Sequence, residues 1–96
     1  MKDSKKNFDL NKVEITGTVN RIIGETEKFI SFSLASAQDA KVTNYITIKA
    51  FSSQIAHPEK GDTVKVVGHI SSGSYKKGKD TIYETYVTAE DISEVE

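Results

Sequence analysis

Apolar residues that alternate with polar ones at every second position are the feature that most constrains the fold of this chain. The alternation recurs in five stretches, which begin near positions 12, 30, 42, 64 and 81. A period of two places the apolar side chains on one face of a β-strand, whereas an amphipathic helix needs a period of 3.6. The sequence therefore predicts five strands, and we expect an all-β fold whose core is one face of a sheet.

The segments between these stretches indicate how the strands connect. Ser52–His57 is long enough for one very short helical turn between strands 3 and 4, begun by a serine cap and ended before Pro58. Gly17 lies inside a strand, which marks a bend or a close backbone approach of the kind a barrel requires. The predicted strands run from Lys12 to a turn at 24–28, and over 30–35, 42–51, 64–70 and 81–89, with a hairpin tip at 76–80. Five strands and no long helix predict a small closed barrel.

Parity assigns the core residues of the last two strands. Alternation on the fourth strand points Val64, Val66, Gly68 and Ile70 inward. On the fifth strand the expected inward residues are Thr85, Val87 and Ala89, followed by a final apolar Ile92.

Composition limits the class of protein. The chain has 96 residues, of which 36% are hydrophobic and 28% charged, as expected for one globular domain. A domain this small has a thin core, which a second copy of the chain would help to cover. With no cysteine, disulfides, thiolate catalysis and cysteine zinc sites are excluded. No apolar run approaches the about 20 residues of a membrane span, so we expect a cytoplasmic protein that has no membrane partner.

The net charge of −1 conceals an uneven distribution. Residues 1–79 hold all 13 Lys and Arg against eight acidic residues, whereas residues 80–96 hold six acidic residues and no basic one. A basic body with an acidic end can attract an anionic partner, because partners respond to local charge. The alternative interpretation is ordinary surface charge.

Side-chain alternation on the third predicted strand exposes two aromatic rings beside a lysine. Because the apolar residues at 46, 48 and 50 are expected to face the core, the other parity faces solvent. The outward residues of this strand are Tyr45, Thr47, Lys49 and Phe51. Those of the fourth strand and its continuation are Lys65, Val67, His69, Ser71 and Tyr75, followed by Lys76 and Lys77.

Exposed rings interleaved with cations suit single-stranded nucleic acid, whose unpaired bases stack on aromatic rings while lysines follow the phosphates. The candidate stacking residues are Tyr45, Phe51 and Tyr75. The candidate phosphate contacts are Lys49, Lys65, Lys76, Lys77, Lys79 and Arg21, and His69 could touch a phosphate or a base. The alternative is structural: Phe51 packs under the helical turn and Tyr45 packs against a second subunit.

Several segments, taken together in order and spacing, resemble the bacterial and phage single-stranded DNA-binding (SSB) proteins. They are 11–17 (NKVEITG), 32–35 (FSLA), 44–51 (NYITIKAF), 60–70 (KGDTVKVVGHI) and the stretch from Tyr83, within a resemblance that covers residues 11–92. The family often has tryptophan at the position of Tyr45, phenylalanine at that of Phe51, and another stacking aromatic seven residues after Gly68, where Tyr75 stands.

The resemblance implies a five-stranded OB-fold and binding of single-stranded DNA without sequence specificity, in replication, recombination or repair. It places the binding domain at 11–92. Residues 1–10 are polar and charged without a sustained period, which predicts a flexible arm, and residues 93–96 form a short acidic end. The resemblance also implies a homo-oligomer, either a tetramer or a dimer, assembled through sheet edges and the first strand.

The chain departs from the family pattern in four respects. It has no tryptophan, and the loop 39–41 lacks the aromatic residue that the family often supplies there. The segment between Phe51 and Gly61 is shorter than the family's usual helix by about one turn, and the acidic end follows the last strand directly. Family members typically recruit replication proteins through an acidic tip on a disordered linker. We therefore expect no such recruitment here, and the pattern resembles the compact phage or mobile-element variants or the tail-less primosome relative.

No catalytic constellation appears in the sequence. His57 and His69 are not at metal-ligand spacing, and residues 68–73 form a bare G-x-x-x-x-G without the lysine of a phosphate loop. We therefore expect neither enzymatic activity nor a cofactor or metal. The alternative function is an OB-type protein-interaction module in a replication, primosome or conjugation assembly.

Overall fold

The computed structural model describes residues 8–53 and 55–95 and contains five strands. They are β1 (Val13–Thr26), β2 (Phe29–Ala37), β3 (Thr43–Ala50), β4 (Thr63–Lys77) and β5 (Asp80–Glu94). The five predicted strands are confirmed, and the hairpin tip narrows to Gly78 and Lys79, where Gly78 has a φ of 65°. Of the arm predicted for 1–10, positions 1–7 lie outside the described residues.

The strands close into a barrel in the order β1-β2-β3-β5-β4, with β4 returning to β1. All neighbours are antiparallel except β3 and β5, which run parallel and pair at Ile48↔Val87 and Lys49↔Thr88. β1 serves both sides of the closure because it pairs with β4 over 13–18 and with β2 over 18–26. Register shifts after Val19 and after Ile22 accompany this change of partner. The architecture confirms the predicted OB-fold.

The core lies inside the barrel and is made of apolar residues from all five strands. It comprises Val19, Ile30, Phe32, Leu34, Ile48, Ala50, Val64, Val66, Val87, Ala89 and Ile92. The inward parity predicted for β3 is confirmed, since Ile48 and Ala50 are buried and Ile46 is half-buried against the core.

Two residues that alternation points inward, Ile70 and Thr85, are exposed, so these two assignments are wrong. The ladder between β1 and β4 ends at Val13↔Gly68, and β5 meets β3 only at Val87 and Thr88. Beyond these pairs, residues 70–77 and 80–86 continue as a two-stranded extension, here called the β4–β5 ribbon. Within the described residues, no other strand of the barrel packs against the inner side of the ribbon, so the side chains that would point inward, such as Ile70 and Thr85, face solvent.

The connection from β3 to β4 is irregular. Its Ile55 N–H donates a hydrogen bond of 3.4 Å to the Ser52 carbonyl, which closes a single turn. The predicted helical turn is thus reduced to this one bond, and the described residues contain no helix. Among those residues, therefore, no helix is long and apolar enough to cross a membrane.

Candidate nucleic-acid interface

The outward side chains of β3 and β5 share one surface with the outward side of the β4–β5 ribbon. We call this surface the β3–β5 face; it carries Tyr45, Thr47, Lys49, Phe51, Tyr75, Ile82, Glu84, Tyr86 and Thr88. The surface is continuous from the ribbon to the barrel. Tyr75 lies opposite Ile82, and because side chains alternate, Ile82, Glu84 and Tyr86 point to the same side of β5. Lys49 of β3 contacts both Glu84 and Tyr86. The barrel therefore brings β3 and the ribbon together on one side.

The three candidate stacking rings are all exposed on this face. Tyr45 is 65% exposed, Phe51 57% and Tyr75 52%. Tyr45 and Phe51 are six positions apart on or just beyond β3, so their backbones lie about 20 Å apart. Phe51 packs against Phe29 with ring centroids 5.2 Å apart and planes tilted by 41°, which holds the ring while leaving one side open.

Lys49 occupies the middle of the β3–β5 face and has two partners there. Its Nζ lies 3.0 Å from Glu84 Oε2 and 4.2 Å from the centroid of the Tyr86 ring. Both partners belong to β5, so the parallel pairing of the two strands creates the cluster. The ammonium group is held by a carboxylate and by the face of an aromatic ring.

The other candidate cations of the barrel strands differ in position. Arg21 of β1 lies opposite Ser33 of β2, which in turn lies opposite Thr47 of β3. Arg21 therefore points to the same outward side as Thr47, but it is two strands away from β3. His69 lies opposite Thr88 at the edge of the face, and its Nδ1 is 2.8 Å from Glu90 Oε2.

Lys65 lies on β4 between Thr16 of β1 and Ser93 of β5, away from β3. Its Nζ is 2.9 Å from Glu14 Oε2. The hydrogen bond from Lys65 and its positive charge hold the pKa of the Glu14 carboxyl below its ordinary value. The structure thus does not bring Lys65 to the rings.

The three candidate lysines Lys76, Lys77 and Lys79 follow Tyr75 at the end of the ribbon. Lys77 has the parity of Tyr75, whereas Lys76 faces the other side and Lys79 lies in the terminal turn. None of the three forms an ion pair with another residue in the described ranges. Their charges are therefore available to an external anion.

Sequence reasoning missed three residues that shape this face: Glu84, Tyr86 and Phe29. Alternation along β5 could have placed Glu84 and Tyr86 on one side, but only the parallel register with β3 brings them to Lys49. Phe29 carried a signal, since it directly precedes the predicted second strand; it is next to Ile30, whose partner Ala50 is next to Phe51, and the two rings are in contact. No group of three or more potential metal ligands occurs in the described part of the chain.

No protein-family model and no curated protein sequence matches the chain. Several solved structures, by contrast, match the chain over nearly its whole length. The dimeric N-terminal domain of PriB from Thermoanaerobacter tencongensis is 28% identical with a TM-score of 0.66, over 90% of this chain and 97% of that one. The mitochondrial single-stranded DNA-binding protein Rim1 from S. cerevisiae is 20% identical with a TM-score of 0.65, over 92% and 97% of the two chains.

A further match is the Plasmodium falciparum SSB in complex with single-stranded DNA, which is 18% identical with a TM-score of 0.72, over 95% of this chain and 99% of that one. The two matches below 25% identity establish the shared fold, and the alignments span nearly the whole of each chain. The predicted resemblance is therefore confirmed: this chain is an OB-fold barrel similar to single-stranded DNA-binding proteins.

Proposed function

We propose that this chain binds single-stranded DNA without sequence specificity and protects it during replication, recombination or repair. The observation that carries the proposal is the exposure of Tyr45, Phe51 and Tyr75 on the continuous β3–β5 face. An exposed aromatic ring does not gain the free energy of burial unless a partner covers it, and stacked bases are such a partner. The solved SSB complex with single-stranded DNA, which shares the fold, supports this partner.

The proposed roles follow from position. The rings stack bases, while Lys76, Lys77 and Lys79 at the ribbon end and Arg21 beside β2 neutralise phosphates. Stacking and phosphate contacts are insensitive to base identity, so the binding is non-specific. We propose no enzymatic activity, because the chemistry of this face is that of a binding surface.

Titration of oligo(dT) at several salt concentrations tests the proposal. We expect micromolar or tighter binding at low salt, with log K falling linearly against log salt by about 0.7 for each phosphate neutralised. Matched duplex DNA should bind more weakly, because its bases are not free to stack. Absence of oligo(dT) binding at low salt would contradict the proposal and favour a protein-interaction module.

We further infer that the chain works as a homo-oligomer, either a dimer or a tetramer. Phe8 and Leu10 are largely exposed. The Asn11 side chain donates a hydrogen bond to the Ile70 carbonyl and accepts one from the Ile70 N–H, which brings the adjacent Leu10 near the exposed Ile70. The solved PriB domain is described as dimeric, which supports association. Light scattering at micromolar concentration is expected to give at least twice the monomer mass; a monomer would contradict the inference.

A further inference from the structure

The lysine at the centre of the β3–β5 face is not free in the unliganded chain. The Lys49 side chain is only 21% exposed, and its Nζ is shared between Glu84 Oε2 at 3.0 Å and the ring of Tyr86 at 4.2 Å. Lys49 lies between Tyr45 and Phe51 on the same side of β3, which is where a strand stacked on both rings would pass. A phosphate approaching Lys49 therefore meets an ammonium group that already holds an anion.

The two partners of Lys49 differ in their freedom to leave. The Glu84 side chain is 38% exposed and lies on the β4–β5 ribbon, so its carboxylate can turn into solvent. The half-buried Tyr86 ring would remain beneath the ammonium group after such a turn. A carboxylate and a phosphate present the same ligand to an ammonium group, namely anionic oxygen, so one can replace the other.

We propose that Glu84 is an internal competitor for the DNA backbone, which occupies Lys49 until a phosphate displaces it. This inference rests on the proposed function and names a residue that limits its affinity. In the bound state the freed carboxylate still lies within a Debye length of the strand, so the Lys49–Glu84 pair brings no net charge to it. Glu84 therefore weakens binding and reduces its dependence on salt.

The variant Glu84→Gln tests the proposal, because glutamine keeps the size and an oxygen acceptor but removes the charge. We expect it to bind oligo(dT) about two- to five-fold more tightly than the parent chain at low salt. We also expect the slope of log K against log salt to steepen by about 0.7, the contribution of one phosphate contact. Thermal unfolding of the variant verifies that the barrel is intact.

Two controls separate competition for Lys49 from a general effect of charge. Glu14→Gln makes the same change in net charge at the Lys65 pair, away from the face, and should leave affinity and slope unchanged. The double variant Lys49→Met with Glu84→Gln should lose the gain, because the gain comes from the freed Lys49. If the double variant keeps the gain, or if Glu14→Gln shows an equal one, the inference is overturned.

A measurement on the unmodified chain gives an independent readout. On addition of oligo(dT), the side-chain carboxyl ¹³C resonance of Glu84 is expected to move as the carboxylate leaves Lys49, while that of Glu14 stays in place. If the chemical shift of the Glu84 carboxyl does not change, or if Glu84→Gln binds oligo(dT) with the affinity of the parent chain, the inference is overturned while the proposed function stands. Failure of the parent chain itself to bind oligo(dT) overturns the proposed function instead.

Discussion

Replacement of Gly68 by alanine is expected to destabilise the barrel by about 3 kcal/mol. A methyl group at this position would overlap the backbone carbonyl oxygen of Thr88 and lie 3.0 Å from the Cα of Ala89. Both obstacles are backbone of the paired strand β5, so neither can turn aside as a side chain would. The clash also falls where the register between β4 and β5 shifts, at the edge of the core.

Gly73→Ala is the matched control on the same strand. The nearest atom to a methyl group there is a carbon of the Tyr86 ring at 3.8 Å, an ordinary van der Waals contact. We expect its free energy of unfolding to stay within about 0.5 kcal/mol of the parent value. Chemical denaturation of the three chains measures the difference, and equal midpoints for Gly68→Ala and the parent would refute the predicted close approach.

The second large effect concerns binding: Tyr75→Ala should weaken the affinity for oligo(dT) by about 1–3 kcal/mol, the usual value for one stacked base. Tyr75 is half exposed and projects from the β4–β5 ribbon beyond the core, so the variant should fold normally. Fluorescence anisotropy at fixed salt measures the loss, and thermal unfolding verifies the fold.

Tyr83→Ala is the control, because it removes the same kind of ring from the same β4–β5 ribbon. Tyr83 is 79% exposed, more than Tyr75, but it lies opposite Ser74 and therefore faces the other side of the same ribbon. If the β3–β5 face binds the strand, the loss belongs to Tyr75 alone. Unchanged affinity in Tyr75→Ala would remove that ring from the site, and an equal loss in Tyr83→Ala would refute the assignment of the face.

The strands and most of the core were predictable because alternation is a local property of the chain. Gly17 is one example: a methyl group there would meet the backbone carbonyl of Ala35 in β2, as a close approach inside a curved strand requires. The outward parity of Tyr45, Lys49 and Phe51 is another, since inward Ile48 and Ala50 leave no other side for them.

Alternation failed where a local pattern could not reveal what stands opposite a strand. Ile70 and Thr85 have inward parity, but the barrel wall that would cover them ends at Gly68 and Val87. The same limit concealed the surroundings of Lys49, whose partners Glu84 and Tyr86 lie 35 and 37 positions away along the chain. Two parallel pairs between β3 and β5 decide that contact.

The sequence by itself determined which side of each strand is apolar, and hence five strands, one core and a row of outward rings. Only the tertiary structure decided where the barrel stops and which carboxylate meets which lysine. The physical reason is that side-chain direction depends on neighbouring residues along the backbone, whereas burial and ion pairing depend on strand register and closure. Strand register and barrel closure are set by hydrogen bonds between segments that are distant in the chain.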